Sequence, residues 1–343
     1  MAHMVETMAY AGLTPWHGLG VNVEGNLTPL QMLIAAELDW TVSCRQMFTH
    51  TGTEIDEGTE IIPVVSHFVL VRDNDDQPLG PVGPRFVPTQ NRDAFEFFKR
   101  FTSVGDMSME TAGSLRGGKQ VWGLAKIKDG FTLAGGDEVQ GYMLVAVSHE
   151  WGKANEIRFT PIRVVCNNTL TMALRDQRSN GIFKMPHVKA FDQEVIVEAE
   201  IALGLASEKM LEYKQNATFL ASKSYTKEDV VTYIADLFQP ELVKQQEVIE
   251  NESDVRKIAR RQTMVDDFKR IPSSVYQALE EGPGATLKSA KGTWWGAYNA
   301  VTFIVDHKWG YNRDAALSNA WFGSRAKLKE KALIRATDYA KIA

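Results

Sequence analysis

The spacing of apolar residues predicts a helix near residue 30. Leu30, Leu33, Ile34 and Leu38 recur at helical intervals, which places them on one face. Thr28 can cap this helix, and Pro29 suits its first position. A second helix, begun by Thr89 or Asn91, is expected to bury a set of three aromatic side chains, Phe95, Phe98 and Phe101. The intervening β-branched residues and polar turns predict strands at 41–48, 61–72 and 84–88.

The clearest strand pattern lies between residues 107 and 174. Residues 109–115 and 120–128 flank the Gly-containing turn 116–119, which predicts a β-hairpin. A second strand pair, 142–148 and 156–165, is joined by residues 149–154. Consecutive strands with short connections pair antiparallel. Pro161 argues against an unbroken central strand, and Asn167 and Asn168 are expected to open a helix that runs through 170–174.

From residue 188 the pattern is helical. We expect helices at 191–220, from Thr226 to just before Pro240, and, after the break at Gly282–Gly284, at 293–307 and 313–340. The charged segment 245–270 fits a solvated helix or a mobile arm. The predicted fold class is α+β. A central antiparallel sheet built from hairpins with flanking helices would occupy residues 1–187, and a mostly helical region would occupy 188–343.

The charges of this 343-residue chain are unevenly distributed around a formal net charge of −5. Counting Lys and Arg against Asp and Glu gives −9 for residues 1–110, +5 for 111–190, −6 for 191–280 and +5 for 281–343. The basic segments either form a positive patch on an acidic body or neutralise the acidic segments within or between subunits.

Several classes of site and location are disfavoured. Cys44 and Cys166 lack metal-ligand spacing, and no two of the seven histidines form an HxH or HExxH motif. We therefore predict no metal site and no cofactor. The sequence contains no apolar run of about 18 residues and no signal peptide, so we expect a cytoplasmic protein without a membrane partner.

Two sequence motifs resemble catalytic signatures only in their letters. Residues 113–119 read GxxxxGK, but Gln120 and a strand follow where a P-loop needs Ser or Thr and a helix. The turn instead presents Arg116 and Lys119 to a phosphate backbone, or is a plain polar turn. Ser148, His149 and Glu150 are consecutive, whereas the members of a catalytic triad converge from separate elements.

Basic and aromatic residues supply the candidate nucleic-acid contacts. Arg116, Lys119, Lys153, Arg158 and Arg163 would bind phosphates, and Trp122 or Trp151 would stack on bases. Asn167 and Asn168 would either cap the helix that follows them or bind an anion together with the exposed N–H groups at its start. Near the C-terminus, a further basic group follows two aromatic residues and suits backbone contacts: Arg325, Lys327 and Lys329.

Five long segments resemble a known family. They are PWHGLG at 15–20, ETAGSLRGGKQVWGLAKI at 110–127, RFTPIRVVCNNTLTMAL at 158–174, GTWWGAYNAVTFIVDH at 292–307 and AWFGSRAKLK at 320–329. They are similar to the phage/plasmid-like proteins grouped as a domain of unknown function. The resemblance implies an origin on phages or plasmids, near replication and recombination genes, and it transfers no catalytic residue.

The order of elements also resembles that of phage single-strand annealing proteins, which assemble as rings or filaments and bind DNA in a basic groove. Our leading hypothesis is a non-enzymatic homo-oligomer that binds single-stranded DNA in phage or plasmid recombination or replication. One alternative is an enzyme that acts on nucleotides or nucleic acid through His149, Glu150, Arg163 and Asn167. The other is an interaction protein that blocks a host factor with its acidic surface.

Overall fold

A computed structural model describes residues 5–12, 20–104, 107–166, 168–169, 182–189, 194, 197, 206–309, 320 and 323–342. The fold is α+β, as predicted. The strands are β1 (Val5–Ala11), β2 (Val21–Val23), β3 (Val42–His50), β4 (Ile61–Arg72), β5 (Gln77–Val82), β6 (Met107–Leu115), β7 (Gln120–Leu133), β8 (Asp137–Ser148), β9 (Asn155–Arg163), β10 (Asn168–Thr169) and β11 (Ile182–Met185).

The helices whose bounds lie in the described residues are two in the first third of the chain and five after residue 205. They are α1 (Pro29–Ala35), α2 (Asn91–Val104), α3 (Ala206–Ser222), α4 (Lys227–Glu250), α5 (Val255–Glu281), α6 (Trp294–Phe303) and α7 (Ser324–Ile342). A 3-10 turn, Val164–Cys166, follows β9, and a π-helical turn, Ile304–Lys308, extends α6. Within the described residues, no helix is long and apolar enough to cross a membrane.

Two sheets contain the strands. The larger sheet has the order β10-β9-β8-β7-β6-β1-β2, with β11 also paired to β9, and the smaller sheet has the order β3-β4-β5. The β6–β7 hairpin is antiparallel, as predicted, whereas the outer β1–β2 pair is parallel. β9 continues through Pro161 because β11 pairs with residues 155–158 and β10 with residues 162–163. The proline therefore falls between the two pairings on that side of β9.

The chain forms two compact units, each assembled from separate segments. Unit 1 comprises residues 1–128, 142–159 and 181–205, and unit 2 comprises 129–141, 160–180 and 206–343. The two domains predicted from the sequence, 1–187 and 188–343, are continuous segments, and that division stays a prediction.

The core of unit 1 packs α2 against the β6–β7 hairpin. Phe95, Phe97 and Phe98 are fully buried. A Cβ atom at Gly123 would come within 2.9 Å of the Phe95 ring, so glycine lets the helix approach the strand. The predicted aromatic helix is therefore confirmed, although the Phe101 side chain lies outside the described part.

The core of unit 2 surrounds α6. Trp294 and Trp295 are fully buried, and Trp294 stacks on Tyr339 with ring centroids 5.3 Å apart. Beneath them the carboxylate of Asp137 accepts four hydrogen bonds, two from Arg163 at 2.7 and 2.8 Å, one from the Ser289 hydroxyl at 2.6 Å and one from the Trp295 indole at 2.9 Å. Burial raises the pKa of this carboxyl, but Arg163, Ser289 and Trp295 outweigh burial and lower the pKa.

Two expectations about the first hundred residues are wrong. The third strand lies at 77–82 instead of 84–88, because β5 is an edge strand that pairs only with β4 and so tolerates Pro78 and Pro81. In α1, Met32 and Leu33 are buried while Leu30 and Ile34 are exposed. The capping box of Thr28 and Gln31 confirms the predicted start of the helix.

Two later expectations are also wrong. α4 begins at the predicted Thr226 cap but continues through Pro240 to Glu250. Asn168 does not open a helix, because it pairs with Arg163 in the antiparallel β10–β9 ladder. Asn167, the predicted helix at 170–174, most of residues 191–205 and residues 313–319 lie outside the described residues.

Candidate nucleic-acid interface

Two neighbouring hairpin turns of unit 1 bring the central candidates together. The β6–β7 turn carries Arg116 and Lys119, and the β8–β9 turn carries Glu150, Trp151 and Lys153. The turns are joined where the His149 N–H donates to the Lys119 carbonyl at 2.8 Å. We call the side chains of these five residues, together with His67, the turn surface.

The backbone of the first turn depends on glycine. Arg116, Gly117 and Gly118 all have positive φ angles, 60°, 68° and 81°, a conformation that glycine adopts without strain. A Cβ atom at Gly118 would also lie 2.9 Å from a guanidinium nitrogen of Arg72. Arg72 is fixed by Glu6 and Asp75 at 2.9 and 2.5 Å, so the turn rests on a rigid support. The GxxxxGK letters therefore form a hairpin turn, as the sequence predicted.

Glu150 joins the cations of the two turns. Its carboxylate accepts two hydrogen bonds from Arg116, at 2.5 and 2.7 Å, and one from Lys153 at 2.6 Å. Burial raises the pKa of the Glu150 carboxyl, but the hydrogen bond from Lys153 and the charge of Arg116 outweigh burial and lower it. Three cations against one carboxylate leave the turn surface with a formal charge of +2.

Trp151 supplies an aromatic platform beside these cations. Its side chain is 68% exposed, which is unusual for so large an apolar group. The imidazole of His67, from β4, meets the indole edge to face, with ring centroids 6.5 Å apart. The remaining ring surface is open to a stacked base. His67 was not among the sequence candidates, because no local pattern connects β4 to the β8–β9 turn.

A buried polar network holds the β8–β9 turn in place. Ser148 donates its backbone N–H to the Asn155 side-chain oxygen at 2.9 Å, and Asn155 donates to the Thr89 hydroxyl at 2.7 Å. The His149 ring is fully buried, with Nε2 3.0 Å from the Asn91 side-chain oxygen. Because that oxygen can only accept, Nε2 carries the proton.

This environment makes His149 a structural residue. Burial, together with the neighbouring His187, lowers the pKa of His149 to about 3, so the ring is neutral at pH 7. The side chain contacts Asn91, while Glu150 contacts Arg116 and Lys153. Ser148, His149 and Glu150 thus form no catalytic relay, as the sequence predicted. A substrate of the alternative enzyme hypothesis could not reach the buried imidazole.

Other candidates of the central segment do not belong to the turn surface. Trp122 is buried, so its ring offers no face to a base. Arg158 forms an ion pair with Glu156 on the same strand, and both side chains are mostly buried. Arg163 is buried against Asp137 in unit 2. Asn168 belongs to β10, and Asn167 lies outside the described residues.

The C-terminal candidates are divided by burial. Lys329 is buried with its amine 2.8 Å from Asp306, and Arg325 is buried with its guanidinium donating to the Trp309 carbonyl. Burial lowers the pKa of Arg325 against the opposing effect of Asp306. Of the three, Lys327 alone is exposed. This group therefore stabilises the π-helical turn and offers one exposed cation.

The described part of the chain contains no ready-made metal site. No group of three or more His, Cys, Asp or Glu side chains there is arranged to hold a metal ion. The side chains of the turn surface offer charge attraction, hydrogen bonding and stacking.

Comparison with known proteins yields a family match. The family model described as Domain of unknown function (DUF932) matches residues 78–333, well over half of the chain. No curated protein and no solved structure matches the chain. The matched region contains both turns that carry Arg116, Lys119, Trp151 and Lys153, and it begins after β4.

Proposed function

We propose that this chain, which belongs to the family described as Domain of unknown function (DUF932), binds single-stranded nucleic acid through the turn surface. The observation that carries the proposal is the exposed Trp151 ring flanked by Arg116, Lys119 and Lys153 on two adjoining turns. An exposed aromatic ring beside cations suits a single strand, whose bases stack on the ring while its phosphates meet the positive charges.

Glu150 sets how the cations engage a strand. In the free protein it neutralises part of the charge of Arg116 and Lys153. A bound phosphate replaces Glu150 as the acceptor for Arg116 and Lys153. Lys119 forms no ion pair with any described residue, so it has no such competitor. Binding therefore gains less than three free cations would give, and the Trp151 ring supplies a salt-independent part of the affinity.

We further propose that the binding serves recombination or replication of a phage or plasmid, and that the protein acts as a homo-oligomer. The resemblance of five segments to phage/plasmid-like proteins supports this setting, and the sequence of hairpins and helices supports an annealing-type activity. In an oligomer, repeated turn surfaces would line up along one strand and multiply a weak single-site affinity.

The proposal is tested by fluorescence anisotropy with labelled single-stranded DNA, double-stranded DNA and RNA at two salt concentrations, alongside the assembly mass. We expect salt-sensitive binding that favours single strands, with a log–log slope of up to about 2 if three phosphates are neutralised. Trp151→Ala should weaken binding by about 1–3 kcal/mol and leave the salt slope unchanged.

Charge is tested with a matched pair of variants. Lys119→Gln with Lys153→Gln should weaken binding and flatten the salt slope by about 1.4. Lys288→Gln with Lys291→Gln, at two exposed lysines of unit 2, makes the same change in net charge and should leave both quantities unaltered. Equal losses in the two variants, or no loss at Lys119 and Lys153, would refute the turn surface as the binding site.

A further inference from the structure

The smaller sheet extends into a two-stranded arm. β3 and β4 pair from Val42–Arg72 out to His50–Ile61, with a register shift between the pairs Gln46–Phe68 and Phe48–Pro63, whereas β5 pairs only with Phe68–Arg72 at the base. Residues 47–66 therefore form a ribbon whose two strands, within the described residues, pair only with each other. We call this segment the arm. It lies in unit 1 and precedes the region matched by the family model.

Both faces of the arm expose large apolar side chains. Phe48 is 59% exposed, Ile55 72% and Val65 82%, and the adjacent Ile61 and Ile62 are both exposed. Successive residues of a strand point to opposite faces, so Ile61 and Ile62 place apolar surface on each side. An isolated two-stranded hairpin is only marginally stable in water, and a group of exposed apolar residues marks an interaction site.

The charge of the arm is entirely negative. It carries four carboxylates, Glu54, Asp56, Glu57 and Glu60, and no Lys or Arg occurs between residues 46 and 71. Asp56 also shapes the tip, since it accepts from the Gly58 N–H and the Thr59 hydroxyl, both at 3.0 Å. Glu54, Glu57 and Glu60 are exposed. Among the described residues their carboxylates form no hydrogen bond or ion pair, and they are available to a partner.

The negative charge of the arm restricts which kind of partner can bind to it. Nucleic acid is repelled by a uniformly negative ribbon. Two arms paired with each other would bring eight carboxylates together, four from each, which like-charge repulsion disfavours. A protein strand or cleft that combines basic and apolar side chains matches both properties of the arm. The unpaired strand edges beyond β5 add backbone N–H and C=O groups that can receive such a strand.

We propose that the arm is a docking element for a partner protein that presents a basic, apolar β-strand, which adds to an edge of the arm. The partner's apolar side chains pack on Phe48, Ile61 and Val65, and its Lys or Arg side chains meet Glu54, Glu57 and Glu60. This docking is separate from nucleic-acid binding, because it uses neither Trp151 nor the cations of the turn surface.

The probe for this proposal is an alternating Lys–Val peptide of about eight residues, the length of an ordinary strand, with an alternating Glu–Val peptide as its charge-reversed counterpart. Binding to the full chain is measured by calorimetry at low and high salt. We expect the Lys–Val peptide to bind and to weaken at high salt, and the Glu–Val peptide not to bind.

Two variants localise the binding. Ile61→Thr with Val65→Thr keeps β-branched residues on the strand while it removes apolar surface, and should weaken the Lys–Val peptide about tenfold. Neutralising Glu54, Glu57 and Glu60 to Gln should also weaken it about tenfold. The control neutralises Glu228, Glu247 and Glu250, three exposed carboxylates of α4, and should leave affinity unchanged.

Three outcomes would overturn the docking proposal. No binding of the Lys–Val peptide at low salt would mean that the carboxylates only keep the arm soluble. Equal loss in the α4 control would show attraction to net charge alone. A mass that rises with concentration in the wild type, and falls in Ile61→Thr with Val65→Thr, would assign the arm to a second copy of this chain. Loss of peptide binding leaves the DNA anisotropy result untouched, so the two proposals fail separately.

Discussion

The imidazole of His149 lies fully buried between the Asn91 amide and the Trp40 ring, whose centroid is 5.3 Å away. Its neutral state is part of the fold, because burial penalises the charged form. The unfolded imidazole titrates near 6.5 and the folded one at about 3. Between these values the unfolded chain binds more protons, so stability is fully present above about pH 6.5 and is lost as the pH falls towards 3.

We therefore predict that lowering the pH from 7 to 5 decreases the free energy of unfolding by about 2 kcal/mol through His149 alone. His187, whose pKa burial also lowers, adds a loss of the same sign. Urea unfolding of the wild type and of His149→Gln at both pH values measures the effect. The variant, whose amide can still donate to Asn91, should lose about 2 kcal/mol less, and an equal pH dependence in both proteins would contradict the assignment.

At the residue scale, part of the candidate site follows from the sequence. Arg116, Lys119, Trp151 and Lys153 were predictable because turns of adjacent hairpins project their side chains outward. Trp122 was not, because β7 is covered on both faces, with Val121 and Trp122 both buried, and alternation then carries no information on exposure. The burial of Arg163 against Asp137 could not be predicted, because the two residues are distant in sequence and no local signal links them.

At the scale of elements, local signals predicted the starts of helices and the hairpins. The side chains of Thr28, Thr226 and Thr293 each accept a hydrogen bond from the first turn of the following helix, as such caps do. Where α4 continues through Pro240, a distant residue supplies a donor that the proline lacks. Pro240 has no N–H for the Asp236 carbonyl four residues earlier, and the Lys331 amine of α7 donates to that carbonyl at 2.9 Å.

This arrangement predicts an energetic coupling between Pro240 and Lys331. Lys331→Met should destabilise the wild type by about 1–2 kcal/mol, because it leaves the Asp236 carbonyl without a donor. In a Pro240→Ala background the helix supplies the missing N–H, so the same substitution should cost at least about 0.5 kcal/mol less. Chemical denaturation of the four proteins completes the cycle, and strictly additive free energies would show that Lys331 does not compensate for the proline.

At the scale of the whole molecule, three arginines of the basic segment 111–190 pair with carboxylates of the same segment. Arg116, Arg158 and Arg163 pair with Glu150, Glu156 and Asp137, and all six residues come from the basic segment 111–190. Composition could not reveal this, because a charge sum carries no information about pairing. The turn surface holds two of the five surplus positive charges of that segment. The arm contributes four of the carboxylates that give residues 1–110 their charge of −9, although the count did not show that they lie together.

The discontinuous units yield a prediction for the fragment 1–187. It would contain Asp137 and Arg163 but lack Ser289 and Trp295, which cover and hydrogen-bond that ion pair. A buried charge pair without its surrounding partners is strongly destabilised. We expect hydrogen exchange at residues 129–141 and 160–163 to be fast in the fragment and slow in the full chain, while α2 stays protected in both. Protection of these residues in the fragment would show that they need no C-terminal cover.

The same ion pair constrains the order of events during synthesis. Asp137 and Arg163 leave the ribosome well before Ser289 and Trp295, and at about 5–20 residues per second the delay is roughly ten seconds. Throughout that interval the guanidinium and carboxylate must remain in water, since nothing yet exists to enclose them. Unit 2 therefore cannot complete its fold in the order in which its residues are synthesised. It must wait for α6, so Asp137 and Arg163 stay uncovered until the last quarter of the chain has been made.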